Sequence, residues 1–182
     1  MYSANVGVGD TATASQYNNA RKDIINRIFE QIQEVDNDTA LPVGSVIVGN
    51  AEAVTFVDGR TSSCYFDFAI PTEIDTTKDI VFLLDIDMST TFTGNARLSA
   101  DISVVADAGD TTPTATTFNE TVACPTALEV LKVLTLSTIK IAAGGFAAGS
   151  HVQMKFSRLG ADALDTHTGT LRVFNIRAGQ AA

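Results

Sequence analysis

The chain changes character near residue 40. Before that point one segment, Thr13 to Val35, carries helical spacing. After it, nearly everything to Ala182 reads as short β-strands divided by Gly, Asp, Asn and Thr turns. Side chains share a face about every 3.6 residues in a helix and every 2 in a strand, so one pattern cannot stand in for the other. The junction therefore predicts two parts. Residues 1–40 form an arm and an assembly or attachment helix, and residues 41–182 form an antiparallel, jelly-roll-like β-sandwich. At 182 residues this is one domain with an appendage, or at most two small domains.

Residues 1–12 have no periodicity and read as an extended arm. Thr13-Ala14-Ser15-Gln16 fits a capping box, in which the Thr13 hydroxyl accepts a backbone N–H and Gln16 reaches back. Tyr17, Ile24, Ile28 and Val35 then fall near one line of the helix, with Ile25, Phe29 and Ile32 beside it. Asp23 and Arg27 are placed for an i,i+4 pair. The apolar face is wider than the single stripe a helix needs to sit on a sheet. Two readings follow: a helix that packs against symmetry mates in a homotrimer, or one that packs only on its own β-domain.

Beyond the junction the expected strands are Ser45–Gly49, Ala53–Val57, Cys64–Ile70, Asp79–Met88, Ala96–Ala106, Thr116–Cys124, His151–Arg158 and Gly169–Ile176. Leu128–Ile141 is ambiguous, with an extended second half. Ile80, Phe82, Leu84, Ile86 and Met88 alternate on one face, as do Ala96, Leu98, Ala100, Ile102 and Val104, opposite Arg97, Ser99, Asp101 and Ser103. Thr93-Gly94-Asn95 predicts a hairpin between these two strands.

A net charge of −9 argues against nucleic acid, which needs clustered Lys and Arg, and against anionic membranes. Met1-Tyr2-Ser3-Ala4-Asn5 lacks the basic and apolar regions of a leader, which predicts synthesis in a cytoplasm. Cys64 and Cys124 lie far apart in apolar stretches and read as buried thiols rather than a disulfide framework. No Cys/His cluster has zinc spacing, so neither metal nor cofactor is expected. His151 falls on the polar side of its strand and His167 in a turn, and both read as surface residues.

Carboxylates are the abundant functional groups. Asp85 and Asp87 share a strand face and Asp101 lies on the outward face of the next strand, so a hairpin would let them approach. Paired carboxylates serve acid–base chemistry or calcium, but glycosidases also need aromatic platforms, and this chain has no Trp and 3 Tyr. A solvated acidic face is the preferred reading, and no catalytic residue is expected. Arg158 differs: it continues the inward series Val152, Met154, Phe156. A buried guanidinium needs a carboxylate, and Asp162 or Asp165 just downstream can fold back to supply it. The three residues are read as a structural clamp.

Two segments resemble a known group. Gly9-Asp10-Thr11-Ala12-Thr13-Ala14-Ser15-Gln16-Tyr17-Asn18-Asn19 is similar to the opening of many tailed-bacteriophage structural proteins. Ser157-Arg158 followed by Asp165-Thr166-His167-Thr168-Gly169 resembles the ending of phage jelly-roll domains. The resemblance implies a virion protein, typically trimeric, found in fibres, head fibres or capsid decorations. Its motif residues are structural, so it assigns no catalytic positions. The leading expectation is a homotrimeric capsid decoration or short head fibre, partnered by itself and by the major capsid protein or another virion protein. The alternative is a tail-fibre module that binds a host glycan, against which the shortage of aromatics counts.

Overall fold

The computed structural model describes residues 44–48, 51–89, 93–106, 113–125 and 131–181. The arm and the helix expected over 1–40, with Tyr17, Ile24, Ile25, Ile28, Phe29, Ile32 and Val35, lie outside the described residues.

Nine strands are described: β1 (Gly44–Val48), β2 (Ala51–Phe56), β3 (Thr61–Ala69), β4 (Ile80–Met88), β5 (Asn95–Val105), β6 (Thr116–Ala123), β7 (Lys132–Ile141), β8 (His151–Leu159) and β9 (Leu171–Gln180). A five-stranded sheet runs β1-β2-β9-β4-β7, and a four-stranded sheet runs β3-β8-β5-β6. Every neighbouring pair is antiparallel. Apart from β1–β2 and β5–β6, each connection crosses from one sheet to the other. This is the jelly-roll arrangement, with β1 added at one edge. The ambiguous stretch before Ile141 is extended over β7.

The expected hairpin between β4 and β5 is not formed. β4 pairs with β9 and β7, whereas β5 pairs with β8 and β6, in the opposite sheet. Alternation demands only that each strand turn one face to a core, and strands of facing sheets satisfy it as well as hairpin partners do. Gly94 belongs to the crossing. A Cβ there would come within 2.9 Å of the His167 Cα and the Thr166 carbonyl oxygen, so only glycine lets the 165–168 loop pass this close.

The core lies between the sheets. Ile80, Phe82, Leu84, Ile86 and Met88 are all fully buried, and across from them so are Ala96, Leu98, Ala100, Val152, Met154 and Phe156. Phe56 meets Phe156 edge to face at 5.8 Å between centroids. Each large apolar side chain so buried contributes roughly 1.5–3 kcal/mol.

One open side is closed by a charge. The inward series of β6 is Phe118, Glu120, Val122, which sends a carboxylate toward the edge strand of the other sheet. There β7 bulges between its pairings with Val81 and Leu83. Glu120 accepts from the Ser137 backbone N–H and hydroxyl, both at 2.8 Å, and from the Thr138 and Ile139 N–H groups at 2.9 and 3.1 Å. Burial alone would push its carboxyl up, but these donors outweigh that and hold it below the usual carboxylate range. The bulge's orphaned N–H groups are thus satisfied from the opposite sheet.

Candidate functional site

The acidic trio does not assemble. Asp85 and Asp87 lie on β4 and Asp101 on β5, in opposite sheets, so the approach expected from a hairpin fails with the hairpin. Arg172 grips Asp87 with two bonds, Nε to Oδ1 at 2.5 Å and Nη2 to Oδ2 at 2.7 Å, and Asp87 is only 2% exposed. Arg177 binds Asp85 at 2.5 Å. Two carboxylates already paired this way hold strand β4 to β9 and are not a solvated acidic face.

Arg158 is fully buried and all its N–H donors are used. Nε donates to Asp165 Oδ2 at 2.8 Å and Nη2 to Asp165 Oδ1 at 2.7 Å. Nη1 reaches the carbonyls of Phe56 at 3.1 Å and Gly169 at 2.6 Å, and Nη2 also meets the His167 carbonyl. Phe56 belongs to β2 in the opposite sheet, so one side chain ties both sheets to the loop before β9. Asp162 takes a local role: its Oδ1 accepts from the Leu164 N–H at 2.8 Å. The second oxygen of Asp165 also accepts the Arg97 N–H at 3.0 Å, and the Thr166 and His167 N–H groups bond to the Asn95 carbonyl. His167 is therefore buried, not a surface residue, because its loop is laid along the start of β5. His151 is on the polar face, 3.0 Å from Asp67.

Cys64 and Cys124 are buried thiols with no disulfide between them. Burial pushes the Cys124 thiol up to about 11.

A groove opens on the outer face of the four-stranded sheet. Alternation puts Cys64, Phe66 and Phe68 of β3 into the core and so sends Tyr65 and Asp67 outward. In the same way β8 presents Gln153 and Lys155, and β5 presents Asp101 and Ser103. Register sets these side by side. Tyr65 pairs with Lys155, Lys155 with Asp101 and Asp101 with Thr117, while Asp67 pairs with Gln153 and Gln153 with Ser103. The result is two rungs running across the strands, within a cavity of about 380 Å³ that Ala115 also lines.

The groove's chemistry is mixed and closely spaced. The Lys155 Nζ stands 5.6 Å from the centre of the Tyr65 ring. Thr117 donates to Asp101 at 2.6 Å, leaving the second Asp101 oxygen for a ligand. Ser103 reaches the Pro113 carbonyl at 3.5 Å. Asp67 and Asp101 are separated by β8 and by one rung, roughly 12 Å at the backbone from strand spacing and rise. They stand as two separate acceptors. Of these groove residues, Asp101 and Ser103 were placed outward from sequence; Tyr65, Asp67, Gln153 and Lys155 carry the same period-2 signal beside their core neighbours.

No known family matches the sequence, and no curated protein does. Solved structures with similar backbones include a Bacillus thuringiensis insecticidal delta-endotoxin, at 11% identity and a TM-score of 0.43, covering 73% of this chain and 20% of the toxin. A family 16 carbohydrate-binding module aligns at 12% identity and a TM-score of 0.41, covering 78% of this chain and 87% of the module. A carbohydrate-binding module specific for non-crystalline cellulose aligns at 10% identity and a TM-score of 0.41, over 75% and 79% of the two chains. The chain thus spans about a fifth of the toxin and about four-fifths or more of each module.

Proposed function

We propose that this chain is a non-enzymatic virion protein of a tailed bacteriophage whose β-sandwich binds a host glycan on the outer face of its four-stranded sheet. The observation that carries the binding role is the double rung of Tyr65, Lys155, Asp101 and Asp67, Gln153, Ser103. A sugar hydroxyl is both donor and acceptor, and a polar floor alternating acceptors, donors and amides answers it at each position. Tyr65 supplies an apolar ring face in the groove. The virion setting rests on the quoted segments at the two ends of the chain, and places the protein on the particle after synthesis in the host cytoplasm.

In this reading the segment Thr13–Val35 assembles a homotrimer and attaches it to the major capsid protein or another virion protein. Three grooves on one trimer then raise a weak single-site affinity by multivalency. The second reading, a capsid decoration, draws on the same wide apolar spacing of Tyr17 to Val35 and needs no groove.

The test is a glycan array and a host-cell adsorption assay with the full chain, set against Tyr65→Ala and Gln153→Ala. Binding that both substitutions weaken at least tenfold, without loss of the folded circular dichroism spectrum, supports a glycan site. A full chain that retains neither array nor cell binding, or a Tyr65→Ala variant that binds equally well, overturns it in favour of decoration.

A further inference from the structure

The charges in the groove define which sugars it can take. Its lining carries two carboxylates, Asp67 and Asp101, against one ammonium, Lys155, a balance of one net negative charge. That ammonium is already placed over the Tyr65 ring and shares its rung with Asp101. An incoming anion would therefore meet no uncommitted cation on the floor, and would approach a chain whose overall charge is −9. His151, the next cationic candidate, is drawn to Asp67 at the rim, at 3.0 Å. The remaining polar groups, Gln153, Ser103 and Thr117, are uncharged and suit hydroxyls.

We infer that the groove's ligand is a neutral, hydroxyl-rich sugar chain and that acidic glycans are turned away by Asp67 and Asp101. This rests on the glycan-binding reading above and narrows it to one charge class. One net like charge met at about 4 Å in water weakens binding about fivefold, ~1 kcal/mol. Because the groove is open to solvent, the discrimination is greatest at low salt and fades as ions screen it.

The experiment is a printed array of matched glycans: neutral hexose and N-acetylhexosamine oligomers beside uronate, sialylated and sulfated counterparts. It is probed with the full chain and with the double variant Asp67→Asn/Asp101→Asn, at low and at physiological salt. Asparagine keeps an acceptor oxygen for the Thr117 hydroxyl, and both positions are solvent-accessible, so the fold is retained. The expected result is that neutral members bind and their acidic counterparts bind about fivefold more weakly at low salt. That gap narrows with added salt and closes or reverses in the double variant, whose groove keeps only the Lys155 ammonium. Acidic glycans that bind as well as neutral ones, or a gap the double variant leaves unchanged, overturn this inference while leaving a glycan site standing. An array on which no member binds overturns the glycan site itself, and this inference with it.

Discussion

Glu120→Gln isolates the contribution of the closed edge between β6 and β7. The glutamate is 9% exposed and accepts four hydrogen bonds from the β7 bulge, two at each oxygen. Glutamine has the same shape but one acceptor oxygen. Its NH₂ would face either the Thr138 and Ile139 N–H groups or the Ser137 N–H and hydroxyl, of which only the hydroxyl can turn to accept. One or two contacts are therefore lost and the rest no longer meet a charge. Hydrogen bonds to a charged group contribute about 1.5–3 kcal/mol each. Ser137 and Thr138 are exposed and water can replace part of the loss, which brings the expected cost to the low end, about 3 kcal/mol. For a chain of this size that is a Tm about 6–12 °C lower. With no Trp in the chain, far-UV circular dichroism in urea and calorimetry are the suitable assays. The effect also has a pH signature. The folded carboxyl lies below its ordinary value of 4.5, so its stabilisation is fully present above that pH and is lost as pH falls through the lower folded value. The gap between wild type and Glu120→Gln should be constant near neutrality and shrink in acid. A variant within about 0.5 kcal/mol of wild type at neutral pH, the range of an ordinary surface change, would refute the clamp.

Arg158→Ala leaves the buried Asp165 carboxylate and three carbonyls without their donor, a loss of about 3–5 kcal/mol. Calorimetry should show Tm lower by several degrees, with Asp165→Asn costing less and the double variant less than the sum, since the two belong to one network. An unchanged melting curve for Arg158→Ala would remove the clamp. Cys124, with its thiol pushed up to about 11, holds almost no thiolate at mildly alkaline pH. Native protein should react with an aromatic disulfide reagent far more slowly than protein in urea, and equal rates would contradict its burial.

The strand positions were legible because both faces of the sandwich impose a period of two. The inward sets of β4, β5 and β8 appear in the sequence as apolar alternation, and those residues are buried except Val104 at the end of β5, which is half-buried. Ser99 and Ser103, placed on the opposite face, are buried as well. Arg158 stood out for the same reason, as a charge on an apolar register. Glu120 gives an equal signal between Phe118 and Val122. It goes unnoticed because an acidic residue on an otherwise polar strand looks ordinary until the bulge on β7 is seen. His167 reads wrongly as a surface residue from its neighbours, since its burial comes from the start of β5, about seventy residues away in the chain.

What this sequence determines alone is the class of the domain: alternation fixes which side chains face inward, and the turn residues between the runs set where strands end. Which strands pair is a different matter. Hairpin and crossover satisfy the same alternation, so the choice between them rests on packing of the two sheets and on contacts such as Gly94 under the 165–168 loop. The tertiary structure therefore decided three things: that Asp85 and Asp87 are separated from Asp101, that Asp165 and not Asp162 meets Arg158, and that residues of three strands line one groove. Each depends on register between segments distant in sequence, which local periodicity does not encode.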